Sequence, residues 1–457
     1  MKWFQKLQRL DLTAGTMCLV LAVGVLGVSL YSNWLEVHVS LYTADRSDQI
    51  SPYETITLRF SQPVKANVVQ DELKLEPNIQ GKFDWQNDHT LLFVPASPYP
   101  IILTIYLGRS MLGTEGAWLR WEATWKLSVR QPSVVYLGYS QPQRELMAIP
   151  ATGGTPHQLT HTGGKIFDFA ASPIGDQIVY SIVNDQNGLD LWLVGRGGQG
   201  AYRLLDCGAD RCYSPAWSPD GKLIAYNREQ AALTPTAPSG APRPRIIDIT
   251  TGADRPVFSD PQSIGTGVMW SPDGSWLSTY DSVAGQIHVV NLKSGQQVLL
   301  PSSLGLLGSW SPDSTELLYP NTTTDANHVT KTNLYLANFK SGEVGLFIGN
   351  GSDPVDYDYG NPAWCPTGDQ VLLDMRVDPK RPDRQLWLYH PATMDGLLIA
   401  NQPGYSYDLF QWDPWGTRLV IQATNLNKTF SPQIAVWQSG QPLKMIAENG
   451  LFPQWLP

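Results

Sequence analysis

The sequence predicts an all-β protein with an N-terminal transmembrane helix, a β-sandwich and a seven-bladed β-propeller. Three observations lead to this prediction. An uncharged, mostly apolar stretch lies near the N-terminus, about a hundred residues of short strand patterns follow it, and a turn-and-strand unit then recurs to the C-terminus.

The composition favours short strands joined by tight turns. Of the 457 residues only 16% are charged, whereas Gly (40), Pro (35), Trp (17) and Tyr (19) are plentiful. Aromatic residues suit strands, and Gly and Pro suit the turns between them. The formal net charge of −9 is spread along the chain without a basic stripe, so nucleic acid is not an expected partner.

The first residues predict a membrane anchor. Residues 1–11 carry three basic side chains, and residues 12–31 carry no charge. Such a stretch would rise about 30 Å as a helix, which spans a bilayer core. The pattern predicts a cytoplasmic tail over 1–11 and a single transmembrane helix over 12–32 in a bacterial cell membrane, with the bulk of the chain outside the cytoplasm. A cleaved signal peptide is the alternative, and it leads to the same side of the membrane.

The cysteines agree with an oxidising compartment. Cys207 and Cys212 lie five positions apart and are candidates for a disulfide. A metal site is the alternative, but no second pair of Cys or His lies nearby in the sequence. Cys18 lies in the apolar stretch, and Cys365 takes the place of a Ser in one of the repeats.

Residues 33–131 show no helical periodicity. Segments such as "ETITLRFSQPV", "HTLLFVPASPYP" and "WEATWKLSV" read as short strands separated by Pro and Gly turns, which predicts a β-sandwich. Their order resembles the bacterial immunoglobulin-like domains of surface proteins, in which "F-S-x-P-V" opens the domain and "W-x-x-x-W/F" marks its last strand. The resemblance implies a spacer or adhesion module.

A repeated unit occupies residues 132–457. Its clearest copy is "SPAWSPDGKLIAYNRE", from Ser214 to Glu229. Aligned on the residue before the x-Pro pair, the copies are spaced by 40 to 54 residues, a period typical of propeller blades. The aligned residues are Ala171, Trp217, Trp270, Trp310, Trp364, Trp412 and Trp455.

Each copy predicts a four-stranded blade. A first strand ends at the Trp, the Ser-Pro-Asp-Gly segment turns the chain, and three further strands follow. We expect the Trp side chains to pack between neighbouring blades, and the turn residues Asp220, Asp273 and Asp313 to be structural.

The two ends of the repeat region predict how the ring closes. The segment after residue 132 supplies a second, third and fourth strand without a first, and the C-terminal "LFPQWLP" supplies a first strand alone. Joined, they form a composite blade that leaves no open sheet edge. This makes seven blades, with six as the alternative.

These repeats resemble the TolB-like family, whose repeat reads roughly "aWSPDGkkIaF…IYv…L". The copies starting at Trp217 and Trp270 match it in full, the copy at Trp310 lacks the Gly, and the copies at Trp364 and Trp412 are looser. The resemblance covers about residues 132–457 and implies the propeller fold. It implies little about function, because the motif is structural.

No motif in the sequence indicates catalysis. There is no G-x-S-x-G nucleophile elbow, no H-E-x-x-H zinc motif, no Walker loop and no dinucleotide fingerprint. We therefore expect no enzymatic activity and no cofactor.

Two polar segments are weak candidates for binding sites. "NDQNGLD" places Asp185, Asn187 and Asp190 around a Gly, loosely as in a calcium loop, although a plain hairpin is the simpler interpretation. "DPVDYDYGN" precedes a first strand and offers an acidic, aromatic loop to a ligand or basic partner. Its candidate ligand-binding residues are Asp353, Asp356, Tyr357, Asp358 and Tyr359.

The sequence favours a membrane-anchored, non-enzymatic scaffold. Its propeller would bind another protein or a peptide through loops that vary from blade to blade. The alternative is a carbohydrate- or cell-wall-binding module, or a hydrolase or lyase with its site in the central funnel. That alternative needs acidic and basic side chains from several blades to converge, a convergence that we do not detect in the sequence.

Overall fold

A computed structural model of the chain describes residues 14, 16–24, 36–43, 49–119, 121–140, 143–234, 236–260, 262–324, 328, 330–349, 357–378, 380–428 and 431–457. Contacts divide the chain into two compact units, Met1–Arg130 and Gln131–Pro457. The division falls one residue before the predicted boundary between the sandwich and the propeller.

The predicted transmembrane helix over 12–32 is wrong. Among the described residues no helix is both long and apolar enough to span a bilayer. The described helical residues of this stretch are 14 and 16–24 (α1). A lack of charge alone does not show that a segment forms a membrane-spanning helix. The predicted cytoplasmic tail, 1–11, lies outside the described residues.

The N-terminal unit contains two four-stranded sheets and a short helix, α2 (Ala66–Glu72). The sheet orders are β1-β3-β6-β5 and β2-β8-β7-β4. Buried and less buried residues alternate along β3, β6 and β7, so the sheets have a core face and an outer face. The strands are β1 (Val39–Tyr42), β2 (Gln49–Ile50), β3 (Ile56–Phe60), β4 (Leu73–Glu76), β5 (Gly81–Asn87), β6 (Thr90–Pro95), β7 (Ile102–Leu107) and β8 (Ala123–Val129).

The second unit is a β-propeller, as predicted, and its strands form seven blades of four, of which the second and third are joined into one eight-stranded sheet by the parallel pairing of Leu189 with Arg211. The first blade consists of β36, β9, β10 and β11 from the inside outwards, and each later blade takes the next four strands in chain order. The strands are β9 (Ser133–Ser140), β10 (Gln143–Pro150), β11 (His157–Gln158), β12 (Ile166–Ala171), β13 (Gln177–Val183), β14 (Leu189–Gly195), β15 (Tyr202–Leu205), β16 (Arg211–Trp217), β17 (Leu223–Glu229), β18 (Arg243–Asp248), β19 (Asp254–Pro256), β20 (Thr266–Trp270), β21 (Trp276–Asp281), β22 (Gln286–Asn291), β23 (Gln297–Pro301), β24 (Ser309–Trp310), β25 (Glu316–Thr324), β26 (Thr330–Asn338), β27 (Val344–Ile348), β28 (Asp358–Trp364), β29 (Val371–Arg376), β30 (Gln385–Tyr389), β31 (Gly396–Ala400), β32 (Tyr405–Trp412), β33 (Arg418–Asn425), β34 (Ser431–Gln438), β35 (Lys444–Glu448) and β36 (Gly450–Leu456).

Both ends of the repeat region build the first blade. β36 lies innermost and pairs antiparallel with β9, with Trp455 opposite Val134 and Leu451 opposite Leu137. The chain therefore closes the ring within one sheet, and no inner strand is left without a partner.

Burial falls from the middle of each blade outwards. The second strands, such as β13, β17 and β33, have almost continuous buried runs because neighbouring blades cover both of their faces. The outer strands, such as β15, β27 and β31, are mostly exposed. The apolar core thus lies between blades and around the second strands.

Tryptophan side chains join neighbouring blades at the aligned position. The indole N–H of Trp217 donates to Ala170 O at 3.0 Å, and that of Trp270 donates to Ala216 O at 3.1 Å. In the same way the indole N–H of Trp412 donates to Ala363 O, and that of Trp455 donates to Gln411 O. Each acceptor is the residue just before the aligned position of the previous blade. Trp310 instead stacks against Trp276 of the preceding blade, with ring centroids 6.4 Å apart. Trp364 is partly buried and packs against a cluster that combines Leu318 and Leu334 of the fifth blade with residues of its own, sixth blade.

Candidate binding site between the second and third blades

The two faces of the propeller carry different loops. The Ser-Pro-Asp-Gly turns join first and second strands and lie on one face, which we call the lower face. The hairpins between second and third strands, and the connections from one blade to the next, lie at the other end of the strands, on the upper face. Loops that differ in length and composition are therefore concentrated on the upper face.

The aspartates of the lower face are occupied by their own turns. Asp220 accepts a hydrogen bond from Ser218 Oγ at 2.6 Å, and Asp273 accepts one from Ser271 Oγ at 2.6 Å. The hydrogen bond from Ser311 Oγ, at 2.7 Å, lowers the pKa of Asp313. These carboxylates therefore stabilise the turns.

An open cleft of about 720 Å³ lies on the upper face between the second and third blades. Its walls come from the hairpin between β13 and β14, the connection from β15 to β16, and the insert that follows β17. Phe167, Val183, Leu189 and Leu233 supply an apolar lining, and Arg211 supplies the charge. A cleft of this size and mixed character suits an organic ligand or a few residues of a peptide.

The hairpin wall contains the weak calcium candidate. Asn184 Oδ1 accepts hydrogen bonds from the N–H groups of Gln186 and Gly188, at 3.0 and 2.9 Å, and so forms an Asx turn. Asp190 is buried, and its Oδ1 accepts from Asn184 Nδ2 at 2.8 Å and from Cys207 N at 2.9 Å. Asp185 is exposed, and Asn187 lines the cleft. In the described part of the chain, no group of three metal-ligating side chains could hold an ion.

A disulfide joins Cys207 and Cys212 beside the cleft, with their Cα atoms 6.3 Å apart. It closes the loop that contains Ala209 and Arg211, two residues of the cleft wall. Gly188 packs its Cα against this loop, since an added β-carbon there would collide with the carbonyl oxygen of Gly208. The hairpin and the disulfide loop therefore hold each other in place.

Arg211 is the charged group of the cleft, and aromatic rings hold it. Its guanidinium carbon lies 5.3 Å from the centroid of the Phe167 ring and 5.7 Å from that of Tyr213. The two rings meet edge to face at 5.9 Å. Contacts of this kind fix a guanidinium without neutralising its charge.

The acidic, aromatic segment singled out in the sequence lies elsewhere on the upper face, and from Asp358 onward it is the start of β28 and not the predicted loop. Asp358 Oδ2 contacts Arg376 at 2.6 Å and Arg384 at 3.2 Å. Tyr359 is buried in the core of the sixth blade, and the Tyr357 ring packs edge-on against it. Asp353 and Asp356 lie outside the described residues. The described part of this segment is thus held by contacts within the protein.

Two further carboxyl groups join Asp358 around Arg384. Asp374 Oδ2 lies 3.0 Å from Arg384, and Asp408, in the next blade, accepts from Gln422 Nε2 at 3.1 Å. Burial raises the pKa of both Asp374 and Asp408 to about 6, against the opposing effect of Arg384. Acidic and basic groups therefore do converge from different blades, a convergence that we missed in the sequence.

A pattern in the sequence could have revealed part of this convergence. The residue ten positions after the aligned residue is polar in four copies, where an apolar residue would suit a buried second strand. These residues are Ser181, Asn227, Asp374 and Gln422, and all four are buried. Arg211 and the insert residues carry no such periodic signal, because they belong to one blade only.

The sequence matches no protein-family model and shows no similarity to a curated protein. Solved structures with a similar fold include the β-propeller domain of the Trilobed protease from Pyrococcus furiosus, with 13% identity over 70% of this chain and 95% of that one and a TM-score of 0.50. TolB from Acinetobacter baumannii is 15% identical over 72% of this chain and 83% of that one, with a TM-score of 0.42. An oligogalacturonate lyase in complex with manganese is 12% identical over 65% and 83%, with a TM-score of 0.43. At these identities the likeness concerns the fold alone.

The comparison corrects the expectation that the chain has no enzymatic activity. The β-propeller domain of a protease is among the structures that resemble this propeller. The fold therefore does not exclude catalysis, and the absence of familiar sequence motifs was not a sufficient reason to exclude it.

Proposed function

We propose that this protein binds a peptide segment of another protein in the cleft between the second and third blades. The observation that carries the proposal is the composition of the cleft. An apolar lining surrounds one guanidinium, and the amide side chains of Gln186 and Asn187 at the rim can bond a peptide backbone.

The same lining does not favour a sugar. Carbohydrates are usually held by open aromatic faces and by several polar side chains. Phe167 is the aromatic residue among the described lining residues, and Arg211 lies over its ring. The carbohydrate-binding alternative is therefore the less favoured one at this cleft.

A variant in the insert tests the proposal. Leu233 lines the cleft and is 97% exposed, so Leu233→Asp should leave folding intact while it places a negative charge at the rim. Val283→Asp is the matched control, because Val283 is 85% exposed on a hairpin of the next blade and does not line the cleft.

Both full-length variants would be probed on an array of synthetic heptapeptides and on a glycan array. We expect Leu233→Asp to lower the affinity for the peptides that the wild type selects at least tenfold, and Val283→Asp to change that affinity less than twofold. Equal effects of the two variants, or binding to glycans and to no peptide, would show that the proposal is wrong.

We also propose that the propeller works outside the cytoplasm. The Cys207–Cys212 disulfide supports this compartment, because reducing compartments rarely allow such bonds to persist. In protein taken from its host without reductant, a maleimide reagent should modify these two cysteines only after reduction and unfolding. Modification of both after unfolding alone would contradict the assignment.

We further propose that the N-terminal unit is an immunoglobulin-like spacer. Its two four-stranded sheets with alternating burial support this interpretation. A flexible Gly/Ser insertion after Arg130 should then leave peptide affinity unchanged. A lower affinity would indicate that this unit takes part in binding.

A further inference from the structure

We infer that the cleft recognises an acidic side chain, Asp or Glu, within an extended peptide, and that Arg211 is the residue that selects it. This inference rests on the proposed function and names the chemistry of its ligand. It is carried by the state of Arg211, whose guanidinium forms no ion pair with the described residues although carboxylates lie nearby.

Each neighbouring carboxylate is occupied by another donor. Asp168 accepts hydrogen bonds from Ser181 Oγ and from the Ser214 N–H, and Glu229 Oε2 accepts from Tyr213 OH at 3.1 Å. Asp210 pairs with Arg228 Nε at 2.9 Å and accepts from Ala231 N at 3.0 Å. Arg211 opposes the rise that burial causes in the pKa of Asp168, but within the described residues no ion pair joins the two groups, so the guanidinium N–H donors remain available to a ligand.

The guanidinium is also held ready for binding. The rings of Phe167 and Tyr213 restrict it from two sides, and burial and the nearby Glu229 keep Tyr213 protonated by raising its pKa to about 12. The disulfide at Cys212 constrains the adjacent backbone. A side chain already ordered in this way loses little conformational entropy when it binds.

Arginine suits a carboxylate in this setting. Its planar fork donates two parallel hydrogen bonds to the two oxygens, and such charge-assisted bonds are stronger where water is partly excluded. Leu189 is buried beside the site and Val183 is half-buried there, whereas Leu233 is exposed at the rim. A basic side chain would be repelled, and an amide would lose the charge-assisted part of the interaction.

The test uses full-length protein and heptapeptides whose central residue is fixed as Glu, Asp, Gln, Asn, Lys or phosphoserine, with the flanking positions randomised. We expect Glu- or Asp-centred peptides to bind at least tenfold more tightly than their amide counterparts. Arg211→Gln should abolish this preference while affinity for amide-centred peptides stays within twofold. Arg255→Gln is the control, because it removes an exposed arginine from the outer strand of the same blade.

The outcomes separate this inference from the proposed function. If peptides bind and Leu233→Asp weakens them but no acid preference appears, Arg211 is not the selector and only this inference fails. A preference that survives in Arg211→Gln, or a stronger preference for phosphoserine than for Glu, also overturns it. If no peptide binds, the proposed function itself fails. Should Arg211→Gln lower the melting temperature, Arg211→Lys keeps the charge and is expected to retain a weakened acid preference.

Discussion

Replacing Trp455 by alanine should weaken the seam at which the ring closes. Trp455 lies in β36 and is 3% exposed, packed with Val134 of β9 and with Val420 and Ile434 of the last blade. Its backbone N–H donates to Gln411 Oε1 and its indole N–H to Gln411 O, both at 3.0 Å. One side chain thus joins the two ends of the propeller unit.

The expected loss follows from these contacts. A buried Trp removes about 200 Å² from water, worth roughly 5 kcal/mol at 25 cal/mol per Å², and Trp→Ala changes in protein cores typically cost 3–5 kcal/mol. We therefore expect Trp455→Ala to lower the free energy of unfolding by about 4 kcal/mol. For a unit of about 330 residues, with an unfolding entropy near 0.7 kcal/mol/K, the melting temperature should fall by roughly 6 °C.

Differential scanning calorimetry of the full chain measures this loss, because it resolves the transition without relying on tryptophan fluorescence. Trp121→Ala is the matched control, since the Trp121 side chain is 81% exposed and its removal should cost less than about 0.5 kcal/mol. A Trp455→Ala variant that melts no earlier than this control would refute the view that the C-terminal strand holds the ring together.

Three further changes follow from the structure. Burial raises the pKa of Asp408 to about 6, so its contribution to stability is lost as the pH rises from about 4 to 6. Asp408→Asn should therefore flatten that part of the plot of unfolding free energy against pH by up to about 3 kcal/mol in urea titrations, and an unchanged plot would contradict this. Gly188→Ala should push the cleft hairpin away from the Gly208 carbonyl, lower the free energy of unfolding by about 2 kcal/mol and weaken peptide binding. Gly345→Ala, where a β-carbon has open space, is the control and should change neither stability nor binding. Cys207→Ser with Cys212→Ser should cost about 2 kcal/mol, and a reductant should lower the urea midpoint of the wild type but not that of the double variant.

The prediction of an anchor shows where composition alone is insufficient. The absence of charge over 12–31 is a true property of the sequence, yet among the described residues no helix is long and apolar enough to cross a membrane. Hydropathy indicates which environment a segment would tolerate and does not by itself fix the structure that the segment adopts.

The candidate site illustrates the same limit for charged groups. Asp358 was singled out as a ligand-binding residue, but Arg376 and Arg384 arrive from later segments of the same blade and pair with it. Arg211 drew no attention in the sequence. Its significance depends on Asp168, Asp210 and Glu229 each having found another partner.

The sequence by itself determined the propeller and its closure by both ends of the repeat region, and it favoured seven blades over six. These features depend on local rules that recur in every copy, namely strand periodicity, turn chemistry and one aromatic residue at a regular spacing. Only the tertiary structure decided where the candidate cleft lies, because its lining comes from separate segments between Phe167 and Ser239 in two consecutive blades. It also decided which charges remain unpaired, since electrostatic pairing depends on distances in space that a linear sequence does not contain.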